Sequence, residues 1–129
     1  MKSLVTHPFP DHIIKYVNTH DLIGIKAGGD RDKSIEIWMV VVDDRIFARS
    51  WGLAERSWFT AFQEDPTGVI ECGDEIVPVT AIVIPDDHEL NVAINKAYLL
   101  KYNHGENAMY AREMIDRNHL SRTVELKAI

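Results

Sequence analysis

The longest apolar run of the chain lies in residues 34–70, the stretch around which the rest of the pattern is organised. This stretch opens with an almost unbroken apolar run over residues 37–42, followed by Asp43-Asp44 and a second β-rich run over residues 45–50. Two such runs separated by two turn-forming residues predict a β-hairpin. Because the first run is apolar on both faces, we expect it to be covered on both sides and to lie at the centre of the fold.

Four stretches have the three- and four-residue apolar spacing that is typical of amphipathic helices. The predicted helices cover residues 11–18, 56–64, 86–104 and 106–117. We expect Asp86 to cap the third helix, with Glu89 completing a capping box, and Gly105 to end it. Ile115 is predicted to face inward from the fourth.

Four further strands are predicted over residues 22–27, 68–72, 75–84 and 122–128. Gly73-Asp74, between two of them, suits a type II′ hairpin turn. Pro78 has no N–H for a ladder, so its strand is expected at a sheet edge or with a bulge. The strict alternation of residues 122–128 predicts a half-buried strand. This order of elements predicts an α+β fold, a small and mainly antiparallel β-barrel with helices over its openings.

Composition places the chain among ordinary globular domains, with 46% apolar and 26% charged residues. A length of 129 residues predicts one domain over residues 1–129. The net charge of −6 disfavours nucleic acid as a partner, because phosphate binding relies on clustered Lys and Arg. Cys72 is the only cysteine, which excludes an intrachain disulfide and fits a reducing compartment. The first ten residues lack the apolar core of a signal peptide, and we expect a soluble, cytoplasmic protein without a membrane segment.

The predicted hairpin also places particular side chains next to each other. A two-residue turn at residues 43–44 sets Trp38 opposite Arg49, and residues directly opposite share a side of the sheet. Glu36 and Trp51 join that side if the pairing continues. A cation flanked by two indoles and a carboxylate can be packing, through a cation–π stack and an ion pair. It can also be the floor of an aromatic pocket for a flat anionic ligand. Taken alone, the pattern favours packing.

Other candidate chemistry is sparse. The charged turn at residues 28–33 can form a nest of backbone N–H groups for a phosphate, although a solvated hairpin tip is the simpler interpretation. The six histidines are scattered without the spacing of a metal site, and no metal is predicted. Ser50 and Ser57 lie outside any GxSxG pattern, and Cys72 has no nearby histidine. No catalytic side chain is assigned.

Several of these features together resemble a known family. The strand over residues 35–42, the Arg-Ser-Trp sequence at 49–51 and the short aromatic helix resemble an uncharacterised bacterial family of unknown function. That family is similar to the flavin-binding split-barrel group, which includes pyridoxamine-phosphate oxidase and the deazaflavin-dependent nitroreductases. The residues that match the nitroreductase pattern are Gly29, Arg31, Ser34, Ser50, Trp58 and Asp65-Pro66.

The resemblance implies an antiparallel split barrel that forms a homodimer, with FMN or a deazaflavin at the seam between the subunits. It assigns Arg31, Lys33 and Arg49 to the cofactor phosphate and Ser50 to a hydrogen bond. Trp51 and Trp58 are expected to wall the ring. The expected function is that of an oxidoreductase-like protein of unknown substrate, in which the cofactor transfers the hydride. The alternative is a non-enzymatic barrel that binds a small anionic ligand or another protein, and the acidic second half of the chain favours it.

Overall fold

The computed structural model describes residues 5–28, 34–51, 57–115 and 117–129. The strands in this part of the chain are β1 (Ile23–Ala27), β2 (Ile35–Ile37), β3 (Val40–Val42), β4 (Arg45–Arg49), β5 (Thr67–Cys72), β6 (Glu75–Ile84) and β7 (Thr123–Ala128). The helices are α1 (Asp11–Thr19), α2 (Trp58–Glu64), α3 (Leu90–Tyr102), α4 (Ala108–Glu113) and α5 (Arg117–Leu120), with a 3-10 turn over Gly105–Asn107.

The seven strands form one antiparallel sheet in the order β2-β1-β5-β6-β7-β4-β3. The sheet curls around a core to which α1 and α2 contribute Ile13, Val17 and Phe59, packed against inward residues such as Ile25 and Ile70. The predicted α+β split barrel with flanking helices is therefore confirmed. Antiparallel hairpins build this fold readily, since each two-residue turn brings consecutive strands together.

The apolar run over residues 37–42 is not the central strand that its sequence predicts. It divides at Trp38-Met39 into β2, which pairs only with β1, and β3, which pairs only with β4. These strands are the two opposite edges of the sheet. The run is apolar on both sides because β3 lies between the barrel core and α3, and the same pattern would serve a central strand.

β6 lies at the middle of the sheet, between β5 and β7, and so the edge position predicted from Pro78 is wrong. Pro78 is tolerated because the N–H that it lacks would point away from β5 and so would not join the β5 ladder. The Pro78 carbonyl shows this direction, since it accepts from the N–H of Ile129, just past the end of β7. β7 is also more buried than its alternation predicts, since Thr123 and Glu125 are buried as well as Val124.

Helix boundaries in the second half differ from the predicted ones. α3 begins at Leu90 without a side-chain cap from Asp86, and the Leu90 N–H is instead bonded by His88 Nδ1 at 3.0 Å. The Asn91 amide draws the preceding turn onto the helix by donating to the carbonyl of Pro85. The single helix predicted over residues 106–117 is divided into the 3-10 turn and α4, and Ile115 is 36% exposed rather than inward.

The two predicted hairpin turns are formed, but with different backbone conformations. β3 and β4 pair with Val42 opposite Arg45, the register that the two-residue turn predicts. Both turn residues, Asp43 (φ 52°) and Asp44 (φ 61°), adopt positive φ angles. The second turn has positive φ only at its first residue, Gly73 (φ 66°), as a type II′ turn requires. The Asp pair therefore holds a conformation that disfavours side chains with a Cβ atom.

The division of the apolar run leaves backbone groups without ladder partners, and α3 satisfies them. The Tyr102 hydroxyl accepts from the Met39 N–H at 3.1 Å and donates to the Asp21 carbonyl at 2.7 Å. Lys101 Nζ donates to the Met39 carbonyl at 2.7 Å and the Val17 carbonyl at 2.5 Å, and burial lowers its pKa to about 8. These side chains tie α1 and α3 to the point where the chain crosses between sheet edges.

Tyr98 makes the corresponding bridge at the end of β4. Its hydroxyl accepts from the Arg49 N–H at 2.7 Å and lies 3.5 Å from the Trp38 carbonyl. In a continuous ladder these two backbone groups would bond each other. The hydroxyl therefore stands where β3 and β4 would otherwise continue to pair, and it holds the barrel open at that point.

The strained turn gives a first prediction. Replacing Asp44 with Gly should raise the free energy of unfolding by about 1 kcal/mol, because Gly adopts positive φ without steric penalty. Chemical denaturation would measure the change. Asp44→Asn removes the same charge and should gain less, whereas Asp74→Gly, at a turn position without positive φ, should gain nothing. Equal gains in Asp44→Gly and Asp44→Asn would mean that charge rather than backbone strain is responsible.

The bridging hydroxyl gives a second prediction. Tyr98→Phe should lower the free energy of unfolding by about 1–3 kcal/mol, because it leaves the buried Arg49 N–H without an acceptor. Tyr110→Phe is a matched control, since the Tyr110 hydroxyl makes no hydrogen bond in the described part of the chain, and it should stay within about 0.5 kcal/mol. A Tyr98→Phe protein as stable as the wild type would show that the bridge contributes nothing.

Candidate functional site

A cavity of about 680 Å³ opens where the barrel is split. It is bounded by β2, the end of β4, the start of α2 and the face of α4. The residues that line it are Leu22, Ile35, Glu36, Ile37, Trp38, Arg49, Ser50, Trp51, Ser57, Trp58, Asn107, Tyr110 and Met114. Most are apolar or aromatic, with a few polar groups among them, which is the usual character of a small-molecule site.

Trp38 and Arg49 both line this cavity, although they are not a ladder pair. The pairing of β3 with β4 ends at Val40 opposite Phe47, two residues short of them. Tyr98 separates their backbones, as described above. Trp38 stacks on Tyr102 with ring centroids 4.1 Å apart and planes 3° from parallel. The hairpin register thus brings the predicted residues to one site, while the helix inserted between them creates the space.

Arg49 is the most completely bonded side chain of the site. Its Nε donates to Thr123 Oγ1 at 2.7 Å, and one terminal nitrogen donates to Asn95 Oδ1 and the Met114 carbonyl, both at 2.6 Å. The other terminal nitrogen donates to Asn91 Oδ1 at 2.9 Å. The side chain is 2% exposed. Four elements of the fold therefore meet at one guanidinium.

The charge of this guanidinium has no carboxylate counter-ion in the described part of the chain. Its partners are all neutral oxygens, and burial lowers the pKa of Arg49 to about 10. The ring beside it belongs to Tyr98, 5.6 Å from Cζ, rather than to either tryptophan expected from the sequence. Burial also raises the pKa of Tyr98, so its hydroxyl stays neutral and does not act as a counter-ion to Arg49. The positive charge acts on the cavity mainly through its field.

Trp51 forms an outer wall of the cavity and is held from three directions. Its indole Nε1 donates to Glu113 Oε2 at 2.8 Å, and its ring meets Tyr110 edge to face at 5.3 Å. The His119 ring nitrogen Nε2 lies 2.8 Å from the Trp51 carbonyl. The indole is still 45% exposed, so one side of it is available to a ligand.

The other predicted residues have different surroundings. Trp58 is 6% exposed and packs edge to face against Phe59 and Phe62, so it presents only part of its ring. Ser50 lines the cavity and its backbone N–H donates to the Arg122 carbonyl. Arg31 and Lys33 lie outside the described residues, in the segment that leads to the lining residue Ile35.

Sequence reasoning did not find several residues that support the site. Asn91 and Asn95 hold Arg49, and Tyr110, Glu113 and His119 hold Trp51. The asparagines had a usable signal, because they stand four residues apart on a helix whose inner face is otherwise apolar. The other three gave none, since Tyr110 and Glu113 lie in a helix whose boundaries were predicted wrongly and His119 lies in α5, which was not predicted.

The described residues limit the chemistry that this site can perform. They contain no group of three His, Cys, Asp or Glu side chains placed to hold a metal ion. None of their helices is long and apolar enough to cross a membrane. Burial raises the pKa of the Cys72 thiol to about 11, and it lies in the barrel core. Among the described lining residues Glu36 is the one carboxylate, and no second carboxylate or histidine lies beside it there to form an acid–base pair.

Two solved structures resemble this chain in fold. A conserved hypothetical protein from Mycobacterium tuberculosis matches with a TM-score of 0.52 at 14% identity, over 100% of this chain and 85% of its own. A protein from Mesorhizobium loti, described as FAD-binding, matches with a TM-score of 0.54 at 11% identity, over 97% of this chain and 92% of its own. At these identities the likeness concerns the fold.

Comparison by sequence gives the family. No curated protein matches the chain significantly. A family model described as "uncharacterized protein conserved in bacteria" matches residues 17–126, which is most of the chain and includes every described residue of the cavity lining. The resemblance to an uncharacterised bacterial family is thereby confirmed, and this protein belongs to the bacterial family DUF2255.

Proposed function

We propose that this protein binds a flavin or deazaflavin in the cavity beside Arg49 and works as an oxidoreductase on a substrate still to be identified. The observation that carries the proposal is the aromatic cavity at the split of the barrel, with a buried cation in its wall whose partners among the described residues are all neutral oxygens. A flavin fits both features, because it has a planar aromatic ring and an anionic phosphate. The fold relative from Mesorhizobium loti, described as FAD-binding, supports the choice.

In this proposal the described residues divide the work of holding the ring. Trp51 offers an exposed indole face, Trp58 closes the inner side, and Ser50 supplies a hydrogen-bonding hydroxyl. Arg49 already donates to neutral oxygens, so it stabilises negative charge in the cavity through its field. Arg31 and Lys33, which precede Ile35 in the chain, are the proposed phosphate contacts.

The bound cofactor would supply hydride transfer, so the protein needs no acid–base pair of its own. This agrees with the described part of the lining, in which Glu36 is the single carboxylate. The split-barrel resemblance adds that two copies form a homodimer with the site near their seam. The acidic second half of the chain favours the second candidate, a non-enzymatic barrel that binds another small anion or a protein, and binding experiments separate the two.

A binding titration tests the proposal directly. Purified protein should quench the fluorescence of FMN or of a deazaflavin with a dissociation constant in the micromolar range, which corresponds to about −8 kcal/mol. The double variant Arg31→Gln/Lys33→Gln should weaken binding at least about tenfold, because each lost phosphate contact costs up to about 3 kcal/mol.

The double variant Lys15→Gln/Lys96→Gln is the matched control. It removes the same charge from two exposed helical positions that do not line the cavity, and it should bind like the wild type. Failure of FMN, FAD and a deazaflavin to bind at all would refute the cofactor proposal. In that case a thermal-shift screen of other small anions would examine the second candidate.

Substitution of Arg49 separates its two roles. Arg49→Lys keeps the charge but cannot reach all four acceptors, so the free energy of unfolding should fall by about 2 kcal/mol or more. The affinity for FMN should change less than threefold, because the field remains. Arg45→Lys, at a pair whose arginine side chain is 43% exposed, is the control and should cost about 1 kcal/mol or less. An unchanged stability for Arg49→Lys would contradict the bonding role described here.

A further inference from the structure

The outer face of the sheet is covered by helices over one half only. Over β3, β4 and β7 it is covered by α3 and α4, through a cluster that includes Phe47, Ile94 and Tyr98. β1 and β5 contact α1 and α2 through the barrel interior, where Phe62 approaches Gly68. In the described part of the chain, the outer side of β1, β5 and the first half of β6 has no helix on it. We call this surface the bare face.

Register identifies the side chains of the bare face. Glu71 lies opposite Gly24 on one side and Ile76 on the other, and Lys26 lies opposite Val69. Residues directly opposite point to the same side of a sheet. Lys26 and Glu71 are therefore diagonal neighbours on adjacent strands, in the middle of the bare face.

Neither of these charged side chains has a partner within the described residues. No ion pair or hydrogen bond joins Lys26 or Glu71 to any of them, although the two lie on adjacent strands. Glu71 folds over Gly24, where the missing side chain makes room, and its Oε1 is buried without a hydrogen bond. A buried polar atom without a partner costs about 1–3 kcal/mol, and this cost is relieved if the Glu71 side chain turns outward to meet a cation at the surface.

The bare face also carries a projecting side chain and a depression beside it. Ile76 is 63% exposed and projects from it. Beside Ile76 is a depression of about 410 Å³ lined by Lys26, Gly28, Thr67, Gly68, Val69 and Glu71 as well as Ile76 itself. A surface with one projection and one depression can pack against a copy of itself.

We propose that the bare face is the surface through which two copies of this chain associate. A two-fold axis makes such an interface self-complementary, since each contact occurs twice. Lys26 of each copy pairs with the partner's Glu71, and Ile76 enters the partner's depression. The bare face adjoins the cavity at the split of the barrel. Glu36 of β2 lies opposite Gly24 of β1, and Glu36 also lines that cavity. The assignment specifies the homodimer of the proposed function and holds whether or not a flavin binds.

Charge reversal combined with mixing tests the pairing. Lys26→Glu and Glu71→Lys each place like charges across the interface and should raise the dimer dissociation constant about a hundredfold or more. Each variant alone should sediment as a monomer at a concentration where the wild type is a dimer. Mixed in equal amounts, the two variants should form a heterodimer, because both contacts between them are again between opposite charges.

The mixing result separates contacts between chains from contacts within one. If Lys26 and Glu71 acted only inside one chain, both variants would be impaired singly and mixing would not restore association. The double variant Lys26→Glu/Glu71→Lys should form a homodimer, and Lys15→Glu, on exposed α1, should leave the wild-type dimer intact.

Several outcomes would overturn the proposal. These are a wild-type protein that is monomeric at tens of micromolar, single variants that remain dimeric, and mixed variants that remain monomeric. Circular dichroism of each variant confirms that it is folded. Sedimentation does not depend on a cofactor, so a failure of flavin binding leaves this test decisive.

Discussion

The architecture depends on one substitution of bonding partners: tyrosine hydroxyls of α3 replace backbone groups where the β3–β4 ladder stops, at Tyr98, and where the β1–β2 ladder stops, at Tyr102. The Tyr98 hydroxyl accepts a hydrogen bond from the Arg49 N–H, and the Tyr102 hydroxyl accepts one from the Met39 N–H. Buried backbone groups must be bonded, so without these hydroxyls the chain would have to continue pairing and close the gap. Burial raises the pKa of both phenols, which keeps them neutral donors and acceptors. The split in the barrel is thus maintained by hydrogen bonds from a helix, and the cavity is the space that results.

This arrangement explains how stability and site geometry are coupled. Arg49 is fixed by Asn91 and Asn95 from the same helix that holds the gap open, so α3 both creates the cavity and positions the cation in its wall. Trp51, by contrast, is held by residues from 110 to 119, and its indole stays half exposed. The cation of the site therefore belongs to the buried core, and the indole of Trp51 lies at the surface.

Local patterns were sufficient to predict most of the elements and part of the site. The turn at Asp43-Asp44 gave the register of β3 and β4, and that register pointed to Trp38, Arg49 and Trp51 as neighbours. Contacts between distant parts of the chain left no such signal. An apolar run reads the same whether it forms one central strand or two edges covered by helices. The insertion of Tyr98 links positions 49 residues apart, and no local pattern distinguishes it from an ordinary packing tyrosine.

Two arginines of β4 show how the chain distributes charge. Arg45 makes a double hydrogen bond to the buried carboxylate of Glu125 on β7, which raises the pKa of Arg45 and neutralises its charge at the barrel surface. Arg49, four residues along the same strand, faces Thr123 on β7 instead. A carboxylate at position 123 would bond Arg49 equally well and cancel its charge. Among the described residues, neutral oxygens satisfy the N–H groups of Arg49 without cancelling its charge, and this difference between neighbouring positions is the basis for proposing an anionic ligand in the cavity.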